Sequence, residues 1–273
     1  MEQRSTEGVA QPGLDVDAQP GIQVWTLGFA PVNAIGPELL DQLEGALTAA
    51  VADESVAVIV LTSSLRVFSA GADAKWIKRV VDAEGPEQLL IRFRHTMDRF
   101  RALCVRMRRS DLLFVVALAG HTLAGGLELA AACDLRFAAD DDAIQIGAPE
   151  MKLFGVMPSG GAGTQFLSRL MGPARCLRFL LEAESATPNQ AHDLGIVEQL
   201  VEPDRLREEV MAFATRVAGR AGRAGVGAAK RLALDGAELP LFEAIEFDHT
   251  VHWDSMRRGN FLPGVSAFVK QFG

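Results

Sequence analysis

Cysteine is scarce in this 273-residue chain. Cys104, Cys133 and Cys176 are widely spaced and form no Cys-x-x-Cys pair. That excludes a disulfide framework, argues against a thiolate zinc site and fits a reducing, cytoplasmic setting, so no metal is expected. No apolar run reaches the roughly 20 residues that span a bilayer, so no membrane partner is expected. The opening stretch, "MEQRSTEGVAQPGLDVDAQPG", has no signal-peptide apolar core, and residues 1–20 read as a flexible tail. Basic runs are missing and the net charge is −8, which speaks against a nucleic-acid partner. Three signatures are also absent: a glycine turn leading into Lys-Ser/Thr, Gly-x-Gly-x-x-Gly and Gly-x-Ser-x-Gly. Their absence weakens nucleotide binding and serine hydrolysis. Tyrosine is absent altogether, and that excludes nothing.

What is present is the composition of a globular protein with a sizeable core, 49% hydrophobic and 23% charged. "GIQVWTLG" (21–28) reads as a first strand. "VAVIVLTS" (56–63) and "LLFVVALAG" (112–120) lack polar alternation, as strands buried on both faces do. Between the first two of these strands, residues 36–53 place Leu39, Leu40, Leu43, Leu47, Ala50 and Val51 on one helical face. Residues 86–110 repeat at Leu89, Phe93, Met97, Phe100 and Leu103 as a second amphipathic helix. A third helix starts near Gly125, and a strand follows at 134–139. Strands alternating with helices predict an α/β chain of parallel units. Thr187 before Pro188 predicts a helix start. The remainder reads as helices, with "AGRAGRAGVGAA" as helix end and turn. This divides the chain into a 1–20 tail, a 21–200 core and a 201–273 helical region.

Three segments carry chemistry. In "VFSAGADAKWI" (67–77) small residues either form a tight turn or let a ligand approach free backbone N–H groups. In "GHTLAGGLELAAACD" (120–134) two glycines open a helix, whose unpaired N–H groups and positive dipole end suit a developing oxyanion. Glu128 sits there among apolar neighbours, either as a first-turn acid or as a buried carboxylate with a task. In "IGAPEMKLFGVMPSGGAGTQFL" (146–167) Glu150 follows a short strand and precedes a glycine-rich turn. That turn could suggest a phosphate cradle, but no P-loop Lys-Ser/Thr follows it. His121 reads as a hydrogen-bonded strand-end residue, Asp134 as a partner of local backbone, and Met151 and Met157 as core or pocket wall.

Together these segments resemble the crotonase (enoyl-CoA hydratase/isomerase) superfamily. "SAGAD" is similar to its first oxyanion segment and "AGGLELAAACDLRFA" to its second, with a catalytic glutamate. "PEMKL…GTQ" is similar to the segment holding a second glutamate, "ATPNQAHDLGIVEQLVEP" to the end of the core, and "GVSAFVKQ" to the closing helix. The resemblance implies a crotonase-type spiral of ββα units with a helical C-terminal oligomerisation region, assembled as trimers or hexamers. It implies backbone donors at Ala72 and Gly125, acid–base roles for Glu128 and Glu150, and a coenzyme A path along Ala70, Gly71, Ala72, Asp73, Ala74, Lys75 and Gly125. Among the lysines, Lys75 rather than Lys230 or Lys270 is expected at the phosphates. The implied reaction is hydration of a 2-enoyl-CoA, with coenzyme A as part of the substrate and no separate cofactor. Isomerisation, thioester hydrolysis or decarboxylation, and non-catalytic acyl-CoA binding are the alternatives. Four departures stand out: Ala124 in place of a third glycine, no proline in the preceding strand, a longer turn after Glu150, and Phe166 where arginine is common. The longer turn, with Phe154 and Met157, is expected to shape the acyl pocket toward longer or bulkier chains.

Overall fold

The computed structural model describes residues 13–156, 160–258 and 261–272. The chain begins with β1 (Leu14–Gln19), which lies in the stretch read as a flexible tail. It pairs antiparallel with β2 (Ile22–Leu27) across a turn containing Gly21 at φ 77°. The reading missed β1 because its side chains are mostly exposed and its hold is main-chain. Helix α1 (Pro37–Ala52) buries Leu39, Leu40, Leu43, Leu47 and Ala50. Each of these leucines contributes about 1.5–3 kcal/mol. Val51, expected on that face, is exposed. Steps of four residues drift around a helix, and from Leu39 to Val51 the drift reaches about 120°.

Strands β3 (Val58–Ser63) and β4 (Val67–Ser69) follow, then α2 (Ala74–Glu84), α3 (Pro86–Arg109), β5 (Leu113–Leu118) and β6 (His121–Leu123). Next come α4 (Gly125–Ala132), β7 (Leu135–Ala139), β8 (Ile146–Gly147), α5 (Glu150–Phe154), α6 (Gly163–Met171) and α7 (Pro173–Glu182). The chain continues through β9 (Ser185–Ala186), α8 (Pro188–Asp193) and β10 (Gln199–Val201) into α9 (Leu206–Leu234), α10 (Leu241–Arg258) and α11 (Phe261–Phe272). The strands form two sheets, β1-β2-β3-β5-β7-β10 and β4-β6-β8-β9. From β3 onward, successive turns of the chain give one strand to each sheet and return through helix. The result is a spiral of ββα units with a helical C-terminal region, as expected. The predicted cap of α8 forms in full: Thr187 accepts from the Gln190 N–H, and the Gln190 side chain reaches back.

Two buried cations pin helices to the large sheet. Arg136 is 1% exposed and donates to the carbonyls of Ala130, Cys133 and Ile196, besides pairing with Glu198. It thereby satisfies the C-terminal carbonyls of α4. Lys230 of α9 pairs with Asp134 at 2.9 Å and donates to Met107 O and Leu112 O, each at 2.8 Å. Asp134 also accepts the Phe114 N–H at 2.8 Å, the backbone role expected of it. Burial pulls the Lys230 pKa down and pushes that of Asp134 up, each opposed by its partner. Helix α9 runs through the glycine-rich stretch read as helix end and turn, breaking only at Gly222 (φ 56°). The three cysteines are buried and unpaired. Among the described residues, no helix is long and apolar enough to cross a membrane.

Candidate active site

The parallel strands β4, β6 and β8 lie side by side in the small sheet. Each ends in a segment singled out from the sequence, so the spiral stacks 70–73, 124–128 and 148–150 at one edge. A cavity of about 930 Å³ opens there. Ala70, Ala72, Asp73, Ala74, Lys75, Gly125, Glu128 and Glu150 all line it.

Gly71 lies behind this lining. Its φ is +91°, and a Cβ there would come within 2.6 Å of the Ala124 Cβ and 3.0 Å of the Gly125 nitrogen. It lets the first two segments touch, rather than meeting the cavity itself. Gly126 makes the reciprocal contact: a Cβ on it would sit 2.4 Å from the Ser69 carbonyl oxygen. Ala124, the departure from a third glycine, holds φ 54°, ψ −128°, a conformation costly for any residue with a Cβ.

Two backbone N–H groups are left open. Ile35 N–H donates to Gly71 O at 2.7 Å, and Asp73 N–H donates to Ile35 O at 3.0 Å. In that parallel bridge, Ala72 between them turns its own N–H the other way. Gly125 is the first residue of α4, where N–H groups lack helical acceptors. Neither N–H has an acceptor among the described residues. The Asp73 side chain caps α2 by accepting from Trp76 N–H at 2.9 Å, so it is occupied locally. Lys75 is exposed.

Glu128 is 4% exposed. Its Oε2 accepts the N–H groups of Gly161 (2.9 Å) and Gly163 (2.7 Å). The glycine run that suggested a phosphate cradle thus holds the protein's own carboxylate. Burial raises the Glu128 pKa to about 7, against the pull of those N–H donors, and Glu150 adds a repulsive push. Glu150 opens α5, and burial raises its pKa as well. Its Oε2 is buried with no partner among the described residues.

Apolar side chains complete the cavity. Leu89, Phe93, Met97 and Phe100 of α3 face it, together with Leu153, Phe154 and Val156 beyond Glu150. The sequence marked the α3 stripe as an amphipathic face. The structure divides it: Phe100 and Leu103 are buried, while Leu89, Phe93 and Met97 are only half-buried along the cavity. Met157 lies outside the described residues. His121 stays out of the lining, and its Nδ1 accepts Gln145 N–H at 3.1 Å. Sequence reading missed the Gly161 and Gly163 N–H groups as partners of Glu128.

Residues 17–272 match the family described as enoyl-CoA hydratase/isomerase. The chain belongs to that family, within the crotonase superfamily. A probable enoyl-CoA hydratase of Rhizobium meliloti is 30% identical over 239 residues, 87% of each chain. The 2,3-dehydroadipyl-CoA hydratase of Escherichia coli is 29% identical, over 94% of this chain and 96% of its own. A crystal structure of an enoyl-CoA hydratase from Geobacillus kaustophilus superposes with a TM-score of 0.86 at 30% identity, covering 96% of both chains. The protein is therefore an enzyme of the crotonase superfamily.

Proposed function

We propose that the protein adds water across the double bond of a 2-enoyl-CoA thioester. One observation carries the reading: two carboxylates of raised pKa share a cavity with two acceptor-free backbone N–H groups. The thioester oxygen sits between the Ala72 and Gly125 N–H groups, where an enolate's charge is stabilised before any side chain moves. Glu128 and Glu150 hold one water over the double bond. One carboxylate takes a proton from it as its oxygen bonds to C3, and the other gives a proton to C2. The Glu128 oxygen that accepts two N–H bonds is the poorer site for a proton, so any proton there rides on Oε1. Coenzyme A leaves along Ala70, Ala74 and Lys75, and no separate cofactor is called for. The acyl chain lies against Phe93, Met97 and Phe154. The cytoplasm is its place and a homo-oligomer its assembled form.

The test is loss of conjugated-thioester absorbance across a series of 2-enoyl-CoA chain lengths. Glu128→Gln and Glu150→Gln should each lower turnover about 100-fold or more. Wild-type turnover in either variant defeats the paired mechanism. If Glu150→Gln alone is silent and the enzyme interconverts 2- and 3-enoyl-CoA, isomerisation replaces hydration. The apolar wall and longer turn predict a best substrate longer or bulkier than crotonyl-CoA, by a modest margin of ~1–3 kcal/mol per methylene. A maximum kcat/KM on crotonyl-CoA contradicts this.

A further inference from the structure

The segment carrying the Ala72 N–H, residues 70–73, has no regular structure to hold it. It is held by the loop before α1. Ala70 N–H donates to Val32 O at 3.0 Å, and the Ile35 bonds described above follow on either side of Ala72. That loop in turn depends on one side chain. Asn33 is fully buried and holds φ 48°, a left-handed conformation that asparagine tolerates better than most residues. Its Nδ2 donates to Ser63 Oγ (2.8 Å), Val67 O (3.1 Å) and Phe68 O (2.9 Å), and its Oδ1 accepts Phe29 N–H (2.7 Å). Asn33 thus ties the loop to the end of β3 and to β4. Ser69, also fully buried, closes the arrangement. Its hydroxyl donates to Asn33 O at 2.8 Å and accepts Gly71 N–H at 3.2 Å. The Ser69 backbone also abuts Gly126, next to the second donor.

We propose that Asn33 and Ser69 are positioning residues for the oxyanion hole: through the loop 32–35 and the Ser69 hydroxyl they aim the Ala72 N–H at the thioester oxygen. Neither lines the cavity, so neither touches substrate. This rests on the oxyanion role assigned above to Ala72. Neither the charge nor the shape of the cavity distinguishes these two residues from ordinary core polar groups. What does so is that every bond they make ends on the loop, on β3–β4 or on the donor segment itself.

The test uses Ser69→Ala, which deletes one hydroxyl, and Asn33→Asp, which keeps the acceptor but loses the donor. Ser64→Ala is the matched control: the Ser64 hydroxyl donates to Leu27 O and makes no hydrogen bond to 69–73. Two quantities are measured, kcat and KM on the best 2-enoyl-CoA, and the infrared carbonyl frequency of bound hexanoyl-CoA, which cannot be hydrated. Carbonyl polarisation reads donor placement directly, whereas a merely structural residue would change only the amount of folded protein. Ser69→Ala should lower kcat about 10-fold with KM within about 2-fold, because small displacements of catalytic groups are costly. The carbonyl shift on binding should shrink in step, and Asn33→Asp should do more. Should Asn33→Asp fail to fold, Ser69→Ala decides. An unchanged carbonyl shift in Ser69→Ala overturns the proposal whatever happens to kcat, and so does a smaller shift at wild-type kcat. If the wild type hydrates no 2-enoyl-CoA but the variants still lose the carbonyl shift, the positioning role stands and the hydratase reading falls.

Discussion

At the scale of single residues, Glu128 carries a stability cost at neutral pH. Its folded pKa is raised to about 7, above that of an unfolded glutamate. Between the two values the folded state holds a proton that the unfolded state has lost. This contribution is fully present below about pH 4.5 and is lost as pH rises through 7. Glu128→Gln cannot ionise and still offers an oxygen to Gly161 and Gly163. It should therefore melt higher than wild type at pH 8 and equally at pH 4.5, by at most roughly 3 kcal/mol. Thermal unfolding at both pH values checks this, and a difference that does not grow with pH contradicts it. Ala124 bears a second cost, in its backbone. Ala124→Gly removes the strain at φ 54° but gains unfolded-state freedom, for a net stabilisation of about 1 kcal/mol with turnover preserved. Denaturant titration would expose a loss instead of a gain.

At the scale of elements, what the sequence displayed was burial. The runs at 58–61 and 113–118 were legible as strands because every position is apolar, and α1 because its apolar residues repeat along one face. The edge strand β1 was not legible, since main-chain bonds hold it and its side chains face water. Helix α2 was hidden within a segment read for its turn, and α6 and α7 within and beyond a glycine run. The candidate site divides along the same line. Glu128 and the helix start at Gly125 stood out as local pattern, whereas the donor role of Ala72 and the pairing of Glu128 with Glu150 came only from the resemblance to the crotonase superfamily. The bonds from Gly161 and Gly163 to Glu128 span 33 and 35 residues. No local pattern encodes such a contact. The contacts that tie Asn33 to β3 and β4, and Ser69 to Asn33, were hidden for the same reason, since they span 30 to 36 positions. Lys230 inverts the expectation that lysines are solvated, for the large sheet encloses it.

At the scale of the whole molecule, the outer faces of α10 and α11 leave Leu241, Phe242, Trp253, Leu262 and Phe268 in water. Apolar surface of that extent on one region fits an assembled form. Light scattering on the purified protein should give a mass about three or six times 29.3 kDa; a monomer at micromolar concentration would contradict it. The ladder of β4, β6 and β8 has a different consequence. Strand pairing fixes where each proposed reacting group stands, and the long excursion from Ala74 to Arg109 leaves the ladder, which the chain rejoins at β6 after β5. Its two helices meet at Gly85, at φ 87° with no atom within 4 Å of a Cβ placed there. The polypeptide is therefore divisible at that point. Two fragments meeting at Gly85 should reassemble when co-expressed and recover turnover, because covalent continuity between α2 and α3 is not what holds the first donor beside the second. Folded but inactive halves would mean that the hairpin, not the ladder, sets the register.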